Sequence, residues 1–142
     1  MDQRLSVVTL GVADLRRARR FYETGLGWAA ARGSSEHIVF FQAGGMVVAL
    51  FPRAELAKDA SIADDGRGFG GIALAQVLRT KEEVDAALAQ AKAAGGRILK
   101  AAQDAFWGGY SGYFADPDGY PWEVAWNPHW NLDDSGNVKI PA

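Results

Sequence analysis

The stretch GYFADPDGYPWEVAW, residues 112–126, sets two apolar runs around a tight-turn signal. Asp116-Pro117-Asp118-Gly119 fits a type I turn, with Asp at the first position, Pro fixing φ at the second and Gly at the fourth. The flanking runs therefore read as an antiparallel hairpin. Its second arm carries one acid, Glu123, between Trp122 and Val124. Successive strand side chains point to opposite faces, so Glu123 is separated from Trp122 and Trp126. Both tryptophans are expected to pack against helices. An acid in such a run either faces water or meets a partner: a metal ion, a cation or a hydrogen-bonding ligand.

Upstream, the same order of elements occurs twice. LSVVTLGV (5–12) is β-branched and apolar, a buried strand. Asp14 is placed to cap a helix in which Leu15, Ala18, Phe21 and Tyr22 recur at helical spacing. Arg16, Arg17, Arg19 and Arg20 take its other side and read as a solvated face. Gly25 and Gly27 stop it. HIVFFQAGG and MVVALFP form a hairpin around Gly44-Gly45. Residues 52–70 are polar and Gly-rich, a linker with room for a short helix. Then GGIALAQVL (70–78) repeats the strand, and Thr80 and Glu83 form a capping box. Val84, Leu88 and Ala91 make an apolar stripe that Gly95-Gly96 closes. RILK, a short strand, leads to the final hairpin. The chain thus reads β-α-β-β-β twice, each half too small to bury its own sheet.

With these motifs in place, the sequence resembles the vicinal oxygen chelate superfamily, the glyoxalase and bleomycin-resistance fold. VVTLGVADLRRARRFYETGLGW, RGFGGIALA and YFADPDGYPWEV carry the likeness. It implies an α+β fold in which two βαβββ modules form a cupped, eight-stranded mixed sheet with helices on the outer face. It also implies one domain: module one over about 5–55, a linker over about 56–68, module two over about 69–127 and a C-terminal tail over 128–142. In the enzymes of the superfamily, four side chains in the cup hold a divalent metal. Their positions fall here on Val7, Ala49, Gly71 and Glu123. Val, Ala and Gly offer no lone pair, and one carboxylate is too little for a divalent ion. No metal or other cofactor is therefore expected, a divalent metal being the alternative. His37 and His129, the only histidines, lie off the family positions and are expected to be surface or structural residues.

The resemblance turns Ser111 and Tyr113 toward the cup. Trp107, Tyr110 and Phe40 or Phe41 are further candidates for its lining; by alternation one of the two phenylalanines faces the cup and the other the core. The glycines of WGGYSGY (107–113) weaken a strand and mark a bulge or a close approach. Glu123 is the polar anchor of this set, and desolvation there would suit it to acid or base work.

Composition narrows the function classes. A chain of 142 residues fits one domain. Its net charge of −2 and pI near 5.6 give no basic patch for nucleic acid. Without cysteine there are no disulfides or thiolate metal sites. MDQRLSVVTL is too short and polar for a signal peptide, and no apolar run approaches the ~20 residues of a membrane span. A cytoplasmic protein is expected. Its expected function is to bind a small organic molecule in an aromatic cup, without metal, as a homodimer. Bleomycin-type resistance proteins are the family precedent. The alternative is an enzyme of lyase, isomerase or dioxygenase type, metal-dependent or using Glu123 with Tyr113 or Tyr110 as an acid–base pair. The tail residue Trp130 is expected to pack on its own subunit or on the dimer mate.

Overall fold

The computed structural model describes residues 6–61, 63–66, 68–70 and 72–139, with Lys139 as backbone alone. They form two compact units, Met1–Gly70 and Gly71–Ala142.

The first unit runs β1 (Val7–Val12), α1 (Leu15–Arg20), β2 (Val39–Ala43), β3 (Met46–Pro52) and α2 (Arg53–Asp59). Its sheet has the order β1-β3-β2, with β1 parallel and β2 antiparallel to β3. Asp14 caps α1 as expected, its carboxylate accepting from the Arg17 amide at 3.0 Å. The helix runs on into a π-helical turn over Phe21–Gly25. Alternation along the strands sends Leu10, Val12, Val39, Phe41, Val48 and Leu50 to the helix face, where all are buried with Ala18, Phe21 and Tyr22. Phe41 packs its ring 5.8 Å from Tyr22 and 5.5 Å from Trp28. The β2–β3 hairpin closes at Gly44-Gly45, and Gly44 takes a positive φ of 61°, which a two-residue loop requires of its first residue.

The second unit runs β4 (Leu74–Leu78), α3 (Lys81–Ala93), β5 (Arg97–Asp104), β6 (Tyr110–Ala115) and β7 (Pro121–Trp126). Its sheet order is β4-β7-β6-β5, with β4 parallel to β7 and the other pairs antiparallel. Thr80 accepts from the Glu83 amide at 3.2 Å. Glu83 reaches back one residue further than a capping box demands, to the Arg79 amide at 2.7 Å. At the other end Gly96 donates to Ala91 and Gly95 to Lys92, the paired bonds of a Schellman motif. Val84, Leu88 and Ala91 are buried against the sheet, as their stripe predicts. The DPDG turn forms with Asp116 at its hub: the carboxylate accepts from the Asp118 and Tyr120 amides, both at 2.9 Å. In the tail, β8 (Asn131–Leu132) and β9 (Val138–Lys139) make a small hairpin. The Arg79 guanidinium holds it, donating to the Asp133 carbonyl at 2.6 Å.

The α+β class and the mixed sheets match the expected fold. The two repeats differ in one strand. In the second unit β-α-β-β-β is complete. In the first, the strand after the helix is reduced to one bridge, Ala30 to Phe41, so its sheet has three strands rather than four. No described helix is long and apolar enough to cross a membrane.

Gly112 sits where the second unit is tightest. A Cβ there would fall 2.7 Å from the Leu88 side chain and 2.9 Å from both the Lys100 carbonyl oxygen and the Ala102 nitrogen. Two of these neighbours are backbone and cannot swing aside. Gly112→Ala is expected to cost about 1–3 kcal/mol by overpacking, read as a lower urea midpoint. Gly45→Ala meets nothing within 4 Å and is expected to stay within about 0.5 kcal/mol of the parent. Equal midpoints for the two variants would contradict this packing.

Candidate functional site

Alternation along β7 decides where the acid goes. Trp122 and Val124 are buried on the face covered by α3. Glu123 therefore lies on the far face, half-buried. Its register partners are Tyr113 on β6 and Ala75 on β4. Paired residues of neighbouring strands share a face, so the far face also carries Ser111, Ala115, Pro121, Ala125 and Val77. Around Glu123 the neighbouring side chains are thus small, apart from Tyr113. Tyr113 is its cross-strand neighbour, close enough for the Glu123 charge to act on the phenol.

Burial shifts the tyrosine, and Glu123 adds to the shift. Burial, then the Glu123 charge, then the hydrogen bond to Glu123 hold the Tyr113 pKa above the ordinary 10.0, because each favours the neutral phenol. The pair sets a phenol beside a carboxylate, on an otherwise uncharged stretch of β6 and β7. It can accept a hydrogen bond from an amine or hydroxyl, or pass a proton between its two members.

The other predicted site residues divide. Ser111 is buried on the same face as Glu123 and Tyr113. Tyr110 is not brought together with them. It stands three residues from Tyr113, hence on the helix face, where its hydroxyl donates to Asp85 of α3 at 2.8 Å. That bond is the largest cause holding its pKa above the usual value. Tyr110 therefore shares no face with Glu123, whereas Tyr113 does. Trp126 also faces α3, with the Lys81 ammonium 5.6 Å from its ring centre. Trp107 folds over its own loop, so that a Cβ on Gly109 would fall 1.7 Å from its ring. The close approach marked by the glycines of WGGYSGY is thus at least partly internal. Phe40 lies half-buried on the far face of the first sheet, opposite Ala49, while Phe41 fills the core. His37 is exposed beside Glu36, and His129 is an exposed residue lying against Gly108.

The family metal positions can be tested by their donors. Val7 and Ala49 share the far face of the first sheet, since Ala49 pairs with Thr9, two residues along from Val7. Neither has a lone pair to give. Gly71 lies outside the described residues. Glu123 supplies one carboxylate. This donor set does not fit a divalent ion, which needs several oxygen or nitrogen ligands.

Sequence reading missed that β5 places Lys100 opposite Tyr113. Irregular pairing hid it, and no residue in RILKAAQD signals that irregularity. For Tyr110 the signal was present, since three residues along a strand reverse the face.

The raised Tyr113 pKa has a signed consequence. Below pH 10 the phenol is neutral in both folded and unfolded chains, and its contribution to stability is fully present. As pH rises further the unfolded chain releases its proton first, and the contribution is lost through the folded pKa. Glu123→Gln removes the charge, so the Tyr113 phenolate should form at lower pH than in the parent, though still above a free tyrosine because burial remains. Near-ultraviolet titration reads this, with Tyr113→Phe assigning the transition. An unchanged or higher midpoint in Glu123→Gln would contradict the contact.

Comparison with known proteins agrees with this architecture. The family model described as Glyoxalase/Bleomycin resistance protein/Dioxygenase superfamily matches residues 4–124. A glyoxalase-related enzyme from Fulvimarina pelagi is similar at 39% identity and a TM-score of 0.91, over 99% of each chain. A glyoxalase/bleomycin resistance protein/dioxygenase from Nocardioides shares the fold at 20% identity and a TM-score of 0.74, over 99% of this chain and 91% of its own. Lactoylglutathione lyase from Agrobacterium tumefaciens does so at 23% identity and a TM-score of 0.66, over 89% and 95%. A search of curated proteins finds no match. The chain belongs to the Glyoxalase/Bleomycin resistance protein/Dioxygenase superfamily.

Proposed function

We propose that the protein binds a small organic molecule on the far face of its second sheet, with Glu123 as the polar anchor and no metal at the family position. One observation carries this reading: Glu123 and Tyr113 share a face whose adjoining residues, Ala75, Pro121 and Ala125, are too small to fill it. A ligand amine or hydroxyl supplies the complementary donor. The small neighbours leave space for its apolar part, and Ser111 offers a second polar contact. Ligand sites elsewhere have the same make-up, an apolar surface with a few convergent polar groups. A cytoplasmic location accords with the absence of cysteine.

The Fulvimarina pelagi relative is described as an enzyme, and this supports a second reading. Here Glu123 takes a proton from a bound substrate and Tyr113 gives one, so that a proton moves without net change in the pair. Such chemistry asks only that the substrate present an acidic C–H or O–H to the carboxylate.

A thermal-shift screen against small metabolites and antibiotics tests the binding reading, since a ligand selective for the folded state raises its melting temperature. Glu123→Gln should weaken any such ligand by about 1.5–3 kcal/mol, the worth of a hydrogen bond to a charged group. Metal analysis of protein purified without added metal is expected to give substoichiometric zinc, nickel, iron and manganese. One equivalent of any of them would overturn the metal-free reading. If a substrate emerges, loss of turnover with binding preserved in Glu123→Gln would favour the enzyme.

We also propose a homodimer. Phe106 is fully exposed, and Phe69, Ile72 and Trp130 are 74%, 64% and 39% exposed. Large apolar side chains left in water in such number favour coverage by a second copy. Light scattering should return twice the chain mass of 15.3 kDa; a monomer at micromolar concentration would contradict it.

A further inference from the structure

β5 does not keep simple step with β6. Arg97 pairs with Ala115 and Ile98 with Phe114, but the next pairs are Lys100 with Tyr113, Gln103 with Ser111 and Asp104 with Tyr110. Leu99 is therefore an extra residue, and Ala101 and Ala102 together oppose Gly112. An unbulged strand would carry Leu99 and Ala101 to the places beside Tyr113 and Ser111. The two bulges bring Lys100 and Gln103 there instead. Bulges re-aim side chains in this way, and they are over-represented next to active sites.

Two contacts support this assignment of faces. A Cβ on Gly112 would lie 2.9 Å from both the Lys100 carbonyl oxygen and the Ala102 nitrogen, so the bulged backbone closes over a glycine. Beyond the second bulge Asp104 returns to the helix face, where its carboxylate takes the Lys81 ammonium of α3 at 2.7 Å. The far face consequently carries one row across all four strands: Lys100, Tyr113, Glu123 and Ala75. Arg19, Arg53 and Lys81 each have a carboxylate partner. Among the described residues, Lys100 has none, as is also true of Arg97 on the same strand, and of the two only Lys100 stands beside Tyr113.

We infer that Lys100 is the second charged anchor of the site, and that the ligand is a short molecule with an anionic group, carboxylate or phosphonate, at one end and an amine or hydroxyl at the other. The inference rests on the reading of Glu123 as the first anchor. β5 and β7 are two strand spacings apart, about 10 Å at the backbone. Side chains rising from both strands shorten the span that the ligand must bridge. Tyr113 stands between the two charges and keeps its phenol neutral. The competing account is that Lys100 and the bulges only guard the open edge of β5 against pairing with another chain. Edge protection needs charge along the strand, which Arg97 and Asp104 already supply, and it gives Lys100 no effect on a ligand.

The test uses three probes of one chain length: ε-aminocaproate, hexylamine and caproate. Binding to the parent protein, Lys100→Met and Glu123→Gln is followed by amide chemical-shift titration. In the parent, ε-aminocaproate should bind about tenfold more tightly than hexylamine, the worth of one charge-assisted contact. Lys100→Met should remove that gain and leave hexylamine unchanged. No gain of ε-aminocaproate over hexylamine in the parent, or a gain that survives in Lys100→Met, would overturn the role of Lys100. Failure of hexylamine to bind the parent, or equal binding to Glu123→Gln, would instead overturn the anchor role of Glu123.

Discussion

Period-two alternation along Pro121–Trp126 is the constraint from which the site follows. Trp122 and Val124 bury apolar surface against α3, and that burial fixes the register of β7. A slip of one residue would drive Glu123 under the helix and expose Trp122. Burying an unpaired carboxylate costs several kcal/mol, and losing the burial of a large aromatic costs about as much again. The acid is therefore held on the far face by its neighbours' packing as much as by anything it touches. The DPDG turn adds to this by fixing where β7 begins: Asp116 gathers the Asp118 and Tyr120 amides and leaves Pro121 as the first strand residue.

The same alternation chooses the partner of the acid. Tyr113 and Tyr110 differ by an odd number of residues, so only one can share a face with Glu123. Tyr110 is spent on Asp85 and lies in the cluster of Lys81, Asp104 and Trp126 that fastens α3 to the sheet. Tyr113 is left to the carboxylate. The phenol stands beside a half-buried carboxylate on that face. The far face of the second sheet thus carries one acid and one phenol among small side chains.

Much of this was legible in the sequence, for physical reasons that are local. Asp14, Thr80 and Gly95-Gly96 act on backbone amides and carbonyls within a turn of themselves, and each does what its residue type predicts. Turn chemistry at Gly44-Gly45 and at DPDG is likewise settled by a few φ angles. The placing of Phe40 and Phe41 on opposite faces followed from alternation alone. What was not legible depends on pairing between distant segments. The bulges in β5 arise where RILKAAQD meets Gly112, and alanine, leucine and lysine in that run carry no mark of them. The shrinkage of one first-unit strand to the bridge at Ala30 is also a matter of partner geometry. Glu83 reaching Arg79 rather than Thr80 is a smaller case of the same kind.

The central claim is that Glu123 serves Tyr113 and a ligand, not a metal. Crystals soaked in manganese, with anomalous scattering measured at Glu123, test it most directly. The account predicts no anomalous peak there and a Tyr113 side chain still beside the carboxylate. A manganese ion held by Glu123 and further protein atoms, with Tyr113 displaced, would contradict it.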